Sequence, residues 1–329
     1  MKTLKEIYQA NEELNYIDSS LYSRYRVKAG LRNDNGTGVK VGLTKICDVI
    51  GYKFVHEKKY NIDGQLIYRG YPINYLVDKQ PKDRIFGFEE VAFLLIFGTL
   101  PTEEQLQEFK DYLLNFKMGP VDLQYETPNI LNALQIEVLK LYAKDPSADT
   151  DDLEERMIKG LNILASIPLF TFSYARNKVF KSYPYPDKSL AENILCMARG
   201  NDQYTLEEAR ILDTLLMIHA DHGGGNNSTF ANVVISSTGT DIYSCISAAI
   251  GSLKGPKHGG ANCKVTNMFK AIFHEVGFTT DILTLKKIAN RLLDKDFFDH
   301  SGLIYGIGHA IYTKSDPRAL LIQQQCEML

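Results

Sequence analysis

Long hydrophobic runs are missing from this sequence. The longest apolar stretch, Val91 to Phe97, is far shorter than the roughly 20 residues that a helix needs to cross a bilayer. The N-terminus, Met1 to Glu6, carries charged residues early and has no apolar segment of the kind found in secretory or transit peptides. We therefore expect no membrane partner and a cytoplasmic location.

Paired cysteines and a charge excess of one sign are also missing. The five cysteines are odd in number and include no Cys-x-x-Cys pair, which argues against a disulfide framework or a zinc ribbon and fits a reducing compartment. The 37 basic and 40 acidic residues leave a net charge of −3, so nucleic acid is not expected as a partner. An anionic small ligand would have to be bound by local groups.

Helical signals dominate what is present. In a capping box, a Ser or Thr and a Glu or Gln three residues later satisfy each other's backbone N–H groups at a helix start. The sequence contains three such pairs: Thr102 with Gln105, Ser189 with Glu192, and Thr205 with Glu208. Their helices are predicted to end, in that order, at Gly119–Pro120, near Gly200 and near Gly223 to Gly225. Asp241 is predicted to open a further helix that ends at Gly255–Pro256.

Strand signals are confined to the N-terminal part. The Gly- and Asn-rich stretch from Asn33 to Gly42 predicts a loop before a short extended segment. Asp63–Gly64 lies between apolar residues, which indicates a hairpin turn. We therefore predict an all-α fold with minor β structure near the N-terminus.

The length of 329 residues favours about two domains. No linker of biased composition marks a boundary, and the glycine-rich stretch Gly255 to Gly260 is the best hinge candidate. We predict a large helical domain over residues 1–256 and the start of a smaller helical domain over residues 257–329.

Four of the seven histidines lie in three glycine-flanked segments, which are HADHGGGNNSTF from His219, GPKHGGAN around His258, and YGIGHAIYTKSDPRA around His309. Glycine permits a ligand to approach the backbone closely, so this clustering indicates a site assembled between elements. His219 and His222 continue the spacing of Leu212 and Leu215, which predicts that both imidazoles face inward from one helix.

Two other interpretations of these segments are weaker. His219, His222 and His258 would give a three-histidine metal site, but the His-x-x-His spacing is one residue shorter than in zinc-protease helices and the adjoining glutamate is missing. Gly223 to Gly225 would give a phosphate-binding loop, but these glycines are predicted to close a helix rather than open one. We expect no metal.

The three segments resemble the signature segments of the citrate synthase family, in the family's order and spacing. The resemblance extends to LRNDNGTGVKVGLTKICDVIGY, IDGQLIYRGYPI and FEEVAFLLIFGTLPTEEQL, and so covers nearly the whole chain. It implies a citrate synthase-like helical fold and the condensation of acetyl-CoA with oxaloacetate. It also implies a homodimer formed through long helices of the large domain, with the coenzyme A thioester as co-substrate and no permanently bound cofactor.

The resemblance assigns roles by position. His258 matches the histidine that stabilises the enol of the thioester, and His309 matches the one that binds the oxaloacetate carbonyl. His222 matches a further oxaloacetate contact, and Arg318 matches an arginine that binds a carboxylate. Guanidinium suits that role because its planar fork can bind both oxygens of a carboxylate.

Other residues follow with supporting roles. The loop that resembles the adenine-binding segment for coenzyme A comprises Leu303, Ile304, Tyr305, Gly306, Ile307 and Gly308. His219, Asn226 and Asn262 are predicted to support the histidines that contact substrate. Arg69 is interpreted as a structural residue.

The sequence departs from the family pattern at its end. The family's catalytic base is an aspartate several tens of residues beyond the Asp-Pro-Arg turn, followed by two more arginines, and the sequence ends at Leu329. Asp316 and Glu327 do not occupy the matching position. Ala319 to Leu329 is predicted to form an amphipathic helix in mid-course, which favours a chain cut from a longer parent. We expect negligible synthase activity from these 329 residues.

Two alternatives stay open at this point. The first is 2-methylcitrate synthase, which takes propionyl-CoA, because one methylene is worth only about 1 to 3 kcal/mol of discrimination in a pocket. The second is a non-catalytic scaffold that keeps the fold without the reaction.

Overall fold

The computed structural model describes residues 18, 20–25, 44–56, 58–81, 83–119, 121, 123, 127–309 and 311–327. Within these ranges, thirteen helices accompany one small antiparallel sheet, which confirms the predicted all-α class with minor β structure. The predicted loop from Asn33 to Gly42 lies outside the described residues.

The elements are numbered here in chain order. The strands are β1 (Cys47–Val55), β2 (Lys58–Tyr68) and β3 (Tyr71–Pro72). The helices are α1 (Ser20–Tyr25), α2 (Ile73–Asp78), α3 (Gly87–Phe97), α4 (Glu103–Leu114), α5 (Ile130–Tyr142), α6 (Leu153–Ala175), α7 (Leu190–Arg199), α8 (Leu206–His219), α9 (Asn227–Ser236), α10 (Ile242–Leu253), α11 (Ala261–Val276), α12 (Ile282–Leu293) and α13 (Pro317–Cys326). Over these described parts of the chain, none of the helices combines the length and apolar character needed to cross a membrane.

The three predicted capping boxes are confirmed at the starts of α4, α7 and α8. Asp241 also caps α10 as predicted, by accepting the N–H of Ser244. Gly200 ends α7 in the left-handed conformation, with φ of 76°. The predicted end of α10 at Gly255–Pro256 is confirmed, because that helix ends at Leu253 with Lys254 as its C-cap. Two predicted ends are wrong: α4 ends at Leu114 and α8 ends at His219, each several residues before the glycines.

The predicted hairpin turn at Asp63–Gly64 is wrong. Both residues lie inside β2, and the strands turn between Val55 and Lys58. The register between β1 and β2 shifts between Ile50 and Tyr52, so Asp63 and Gly64 form an irregularity in the ladder rather than its end. The local preference of Asp-Gly for a turn is overridden because pairing continues on both sides.

Two buried carboxylates tie the helices of the main body together. Asp213 of α8 accepts the N–H groups of Gly87 and Phe88, both at 3.0 Å, at the start of α3. Glu89 of α3 is fully buried and accepts the N–H of Leu190, at 2.7 Å, at the start of α7. Burial raises the pKa of both carboxyls. These contacts satisfy helix-terminal donors that have no partner within their own helix.

The buried apolar residues form one large core and smaller clusters. Tyr312 and Leu321, at the C-terminal end, pack into the large core beside Leu66 and Tyr68 of β2. Met268, Ile288 and Leu292 form a separate cluster with the residues around Phe298 and Tyr305. The segment from α11 to residue 305 therefore has its own small core, while the chain after it returns to the main body. The predicted boundary at residue 256 stays a prediction.

Candidate active site

His222 and His309 come together although they lie far apart in the sequence. Their ring centroids are 5.0 Å apart, and the Tyr312 ring lies 4.6 Å from His309 and 5.8 Å from His222. Arg318 lies beside Tyr312, with its guanidinium carbon 5.9 Å from the ring centroid. These four side chains, His222, His309, Tyr312 and Arg318, are called the histidine–arginine cluster below.

His222 lies after α8 rather than on it. The helix ends at His219, and Gly223, with φ of 72°, begins the glycine turn before α9. The Nε2 atom of His222 is buried and has no hydrogen-bond partner among the described residues. Burial, together with the charges of Arg318 and His309, lowers the pKa of His222 to about 3. The imidazole is therefore neutral near pH 7.

The tautomer of His309 follows from its backbone contacts. Its Nδ1 atom accepts the N–H groups of Ile311 at 3.1 Å and Tyr312 at 3.0 Å. A nitrogen that accepts hydrogen bonds carries no proton, so the neutral ring carries its proton on Nε2. His309 is thus fixed as an N–H donor at Nε2, which suits a contact to a carbonyl oxygen.

Arg318 is held in place by Asp316. Its Nε and Nη2 atoms lie 3.1 and 2.7 Å from the two carboxylate oxygens of Asp316. Burial opposes ionisation of Asp316, but the hydrogen bonds and charge of Arg318 outweigh it and lower the pKa of that carboxyl. The Arg318 side chain is only 20% exposed, so it is not a surface arginine.

His258 is built into a different environment. It follows α10, and its Nε2 atom lies 3.0 Å from the hydroxyl oxygen of Ser228, near the start of α9. The Ser228 hydroxyl also lies 2.9 Å from the carbonyl oxygen of Ala249, so its one proton is donated either to that carbonyl or to His258 Nε2. Burial lowers the pKa of His258. Since Ser228 belongs to the helix that follows His222, the two sites are connected through consecutive elements of the chain.

The residues predicted to have supporting or structural roles lie in different environments. The prediction that His219 faces inward is wrong, because its ring is exposed and its Nδ1 atom lies 2.8 Å from the carbonyl of Leu215 in its own helix. Asn226 caps α9 by accepting the N–H groups of Ser228 and Thr229. Asn262 is exposed near the start of α11. Arg69 donates to the carbonyl of Leu95 at 2.8 Å, which agrees with its structural interpretation.

The predicted coenzyme A loop, residues 303–308, lies at the surface beside α11. Leu303 and Ile307 are 56% and 78% exposed, and Gly306 and Gly308 have φ of 88° and 98°. A side chain at Gly306 or Gly308 would be strained in this left-handed conformation. The loop therefore presents backbone and two apolar side chains to solvent.

Sequence reasoning missed Tyr312, Asp316 and Tyr68 as members or neighbours of this site. Tyr312 and Asp316 lie in the segment GIGHAIYTKSDPRA, and their closeness in sequence to His309 and Arg318 could have indicated that they belong to the site. Tyr68 belongs to β2 and no local pattern connects it to the histidines. Among the described residues, no group of three or more His, Cys, Asp or Glu side chains is arranged to hold a metal ion.

Comparison with known proteins identifies the class to which this helical fold and its histidine–arginine cluster belong. A family model described as the C-terminal domain of citrate synthase matches residues 32–329. The chain therefore belongs to the citrate synthase family.

Individual relatives agree with this assignment. A citrate synthase of Haloferax volcanii is 36% identical over 280 residues, which are 81% of this chain and 68% of the relative. A 2-methylcitrate synthase of Corynebacterium glutamicum is 32% identical over 276 residues, which are 80% of this chain and 68% of the relative. The chain thus spans about two thirds of the length of these relatives. The crystal structure of citrate synthase from Thermotoga maritima has a TM-score of 0.67 at 27% identity and covers 92% of this chain and 73% of its own.

Proposed function

We propose that the chain contributes the oxaloacetate-binding and enol-stabilising residues of an enzyme that condenses acetyl-CoA with oxaloacetate to give citrate and coenzyme A. The observation that carries the proposal is the convergence of His222, His309 and Arg318 around Tyr312. Family membership supports the reaction class.

In this proposal the cluster binds oxaloacetate. His309 donates from Nε2 to the ketone oxygen and makes the carbonyl carbon more electrophilic, and the same donor stabilises the alkoxide that forms on attack. His222, neutral and buried, supplies its unpartnered Nε2 atom to the same ligand. Arg318 supplies positive charge for a carboxylate, with its orientation fixed by Asp316.

His258 is proposed to stabilise the enol of the thioester. Donation to the thioester oxygen requires a proton on Nδ1, because Nε2 is the atom that faces Ser228. The Ser228 hydroxyl has one proton and two acceptors within reach, Ala249 O and His258 Nε2. When the Ser228 hydroxyl donates to Nε2, that nitrogen is the acceptor, and the neutral His258 ring carries its proton on Nδ1.

We further propose that these 329 residues have negligible synthase activity alone. Two acids lie near the end of the sequence. Asp316 is bound by Arg318 and has a lowered pKa, and Glu327 is exposed at the end of α13. A carboxylate held at a lowered pKa is a weak base for a thioester methyl proton. Loss of a general base commonly reduces the rate by about 10²- to 10⁴-fold.

The central experiment measures binding and turnover separately. Isothermal titration calorimetry with the purified 329-residue chain is expected to detect oxaloacetate binding, and coenzyme A release from acetyl-CoA is expected to stay near background. A folded chain that does not bind oxaloacetate contradicts the binding proposal, and a normal turnover number contradicts the proposed inactivity.

Propionyl-CoA is the second candidate thioester. The Corynebacterium glutamicum relative named a 2-methylcitrate synthase matches almost as much of the chain as the relative named citrate synthase. Specificity constants for acetyl-CoA and propionyl-CoA distinguish the two substrates.

We also propose a homodimer formed through helices of the main body. The helix α9 has no buried residue, and Val233 and Val234 on it are 43% and 49% exposed. On α5, which packs against α10 as α9 does, Leu139 is 45% exposed. Apolar surface of this kind is typical of a subunit interface. Analytical ultracentrifugation tests this, and a monomer at micromolar concentration contradicts it.

A further inference from the structure

The strand β2 contacts both halves of the histidine–arginine cluster. Tyr68, at its end, is completely buried, and its hydroxyl lies 2.9 Å from the carbonyl of Asp221 and 3.2 Å from that of Met217. The same hydroxyl accepts the N–H of Asp221 at 3.2 Å. Asp221 directly precedes His222, so Tyr68 fixes the backbone on which the His222 ring is mounted.

The other half of the cluster is bound by the preceding residues of the same strand. The hydroxyl of Tyr312, whose ring stacks on His309, donates to the carbonyl of Gln65 at 3.1 Å. The N–H of Gly64 donates to the Ser315 hydroxyl at 3.1 Å. Ser315 directly precedes Asp316, which orients Arg318.

Two glycines allow this close approach. A Cβ atom at Gly64 would overlap the carbonyl oxygen of Ser315, and one at Gly51 of β1 would overlap that of Ile311. The absence of a side chain at both positions therefore lets the segment 311–315 lie directly on the hairpin. This also gives a physical role to the irregular Asp63–Gly64 pair inside β2.

We propose that β2 positions the oxaloacetate site: Tyr68 is a positioning residue for His222, and Gly64 with Gln65 positions the segment that carries His309 and Arg318. The identity of the ligand as oxaloacetate rests on the proposed function, whereas the positioning of the two histidine rings does not depend on it. The strand sets the separation of the two halves because it hydrogen-bonds to each of them within five consecutive residues, 64–68.

Tyr68→Phe tests the first part, because it removes the hydroxyl and keeps the buried ring. The matched control is Tyr183→Phe, since Tyr183 is 2% exposed and its hydroxyl donates to the carbonyl of Ala165 at 2.8 Å. Both variants are expected to lose stability, Tyr68→Phe somewhat more because its hydroxyl has more hydrogen-bond partners. Tyr68→Phe alone is expected to weaken oxaloacetate binding roughly tenfold, the effect of about one hydrogen bond.

A second readout is the NMR titration of ring-labelled histidine in the chain without ligand. Tyr68→Phe is expected to shift the His222 signal and its titration, and Tyr183→Phe is expected to leave both unchanged. Unchanged His222 signals in Tyr68→Phe, or equal changes in the two variants, would overturn the positioning role. If the wild-type chain binds no oxaloacetate, the proposed function fails and the histidine signals still decide this inference.

Gly64→Ala tests the second part. It is expected to displace the segment after His309, shift the His309 signal and weaken oxaloacetate binding by more than Tyr68→Phe does. The control is Gly119→Ala, because the nearest atom to a Cβ there is 4.0 Å away. Wild-type His309 signals in a folded Gly64→Ala variant would overturn the role of Gly64. If Gly64→Ala does not fold, Tyr312→Phe, which removes only the hydroxyl that donates to Gln65, takes its place with the same expected shift.

Discussion

The two histidine environments of this protein differ in what surrounds the rings. His222 and His309 are packed with Tyr312 and Arg318, and charged neighbours act on the pKa of His222 in addition to burial. His258 has the neutral Ser228 as its hydrogen-bond partner, and burial lowers its pKa. The first environment has the charge and N–H donors that an anion requires. The second suits a neutral ring whose tautomer is set by one hydroxyl.

The largest expected effect comes from removing the positive charge of Arg318 from the histidine–arginine cluster. Arg318→Ala is expected to weaken oxaloacetate binding by about 30-fold or more, because loss of one partner of a buried charge pair costs about 2–5 kcal/mol. It also leaves the Asp316 carboxylate facing the incoming dianion. Calorimetry with oxaloacetate measures the effect.

The control for this prediction is Arg84→Ala. Arg84 also holds a carboxylate with two nitrogens, at 2.7 and 2.8 Å from Glu103, but at an exposed position. Exposed pairs contribute about 0–1 kcal/mol, so binding should stay near that of the wild type. Binding by Arg318→Ala within about twofold of wild type would show that the first environment is not an anion site.

The next effect is a pH dependence of stability that arises from His222. Its folded pKa, about 3, lies below the unfolded value of 6.5. Between these pH values the unfolded chain binds a proton that the folded chain does not. The free energy of unfolding therefore falls as the pH falls below 6.5. The slope is at most about 1.4 kcal/mol per pH unit. His222→Gln should flatten the dependence measured by urea unfolding between pH 5 and 7.

Replacing other histidines by Gln shows whether the pH dependence is specific to His222. His274→Gln, at an exposed position on α11, should keep the wild-type slope. His258→Gln should flatten the dependence less than His222→Gln, since the pKa of His222 is lowered by the charges of Arg318 and His309 as well as by burial. An identical slope in wild type and His222→Gln would contradict the burial of a neutral ring at that position.

The smallest expected effect concerns the second environment alone. Ser228→Ala removes the hydroxyl that faces His258 Nε2 and should reduce stability by about 1 kcal/mol, the contribution of one hydrogen bond. It should change the ¹⁵N signals and tautomer of His258 while those of His309 stay constant. Ser236→Ala, on the exposed side of the same helix, serves as control. Equal changes at His258 and His309 would mean that the two environments are not independent.

Helix starts were the most predictable part of the fold. Thr102, Ser189, Thr205 and Asp241 each cap the helix that the sequence indicated. A cap is formed by residues within three positions of each other, so the sequence contains the whole interaction. The ends near Gly119 and Gly223 were less predictable, because residues just after α4 and α8 bond to distant parts of the chain: Met118 donates to the carbonyl of Lys181, and the carbonyl of Asp221 lies 2.9 Å from the Tyr68 hydroxyl.

The candidate site was predictable in its members but not in its arrangement. His222, His309 and Arg318 were singled out from glycine-flanked segments, and the structure brings them together. The extension of the helical spacing from His219 to His222 was wrong because the helix ends between them. The roles of all these residues stay predictions until binding is measured.

The sequence by itself determined the helical class, the helix starts and the residue types available for anion chemistry, because each depends on local spacing and composition. Only the tertiary structure decided which imidazole is buried beside an arginine, which nitrogen of His309 carries its proton and which strand lies beneath the cluster. These depend on contacts between Tyr68 and Asp221, and between Gln65 and Tyr312. Residues so distant in the chain meet only when the core forms, and no local pattern encodes that meeting.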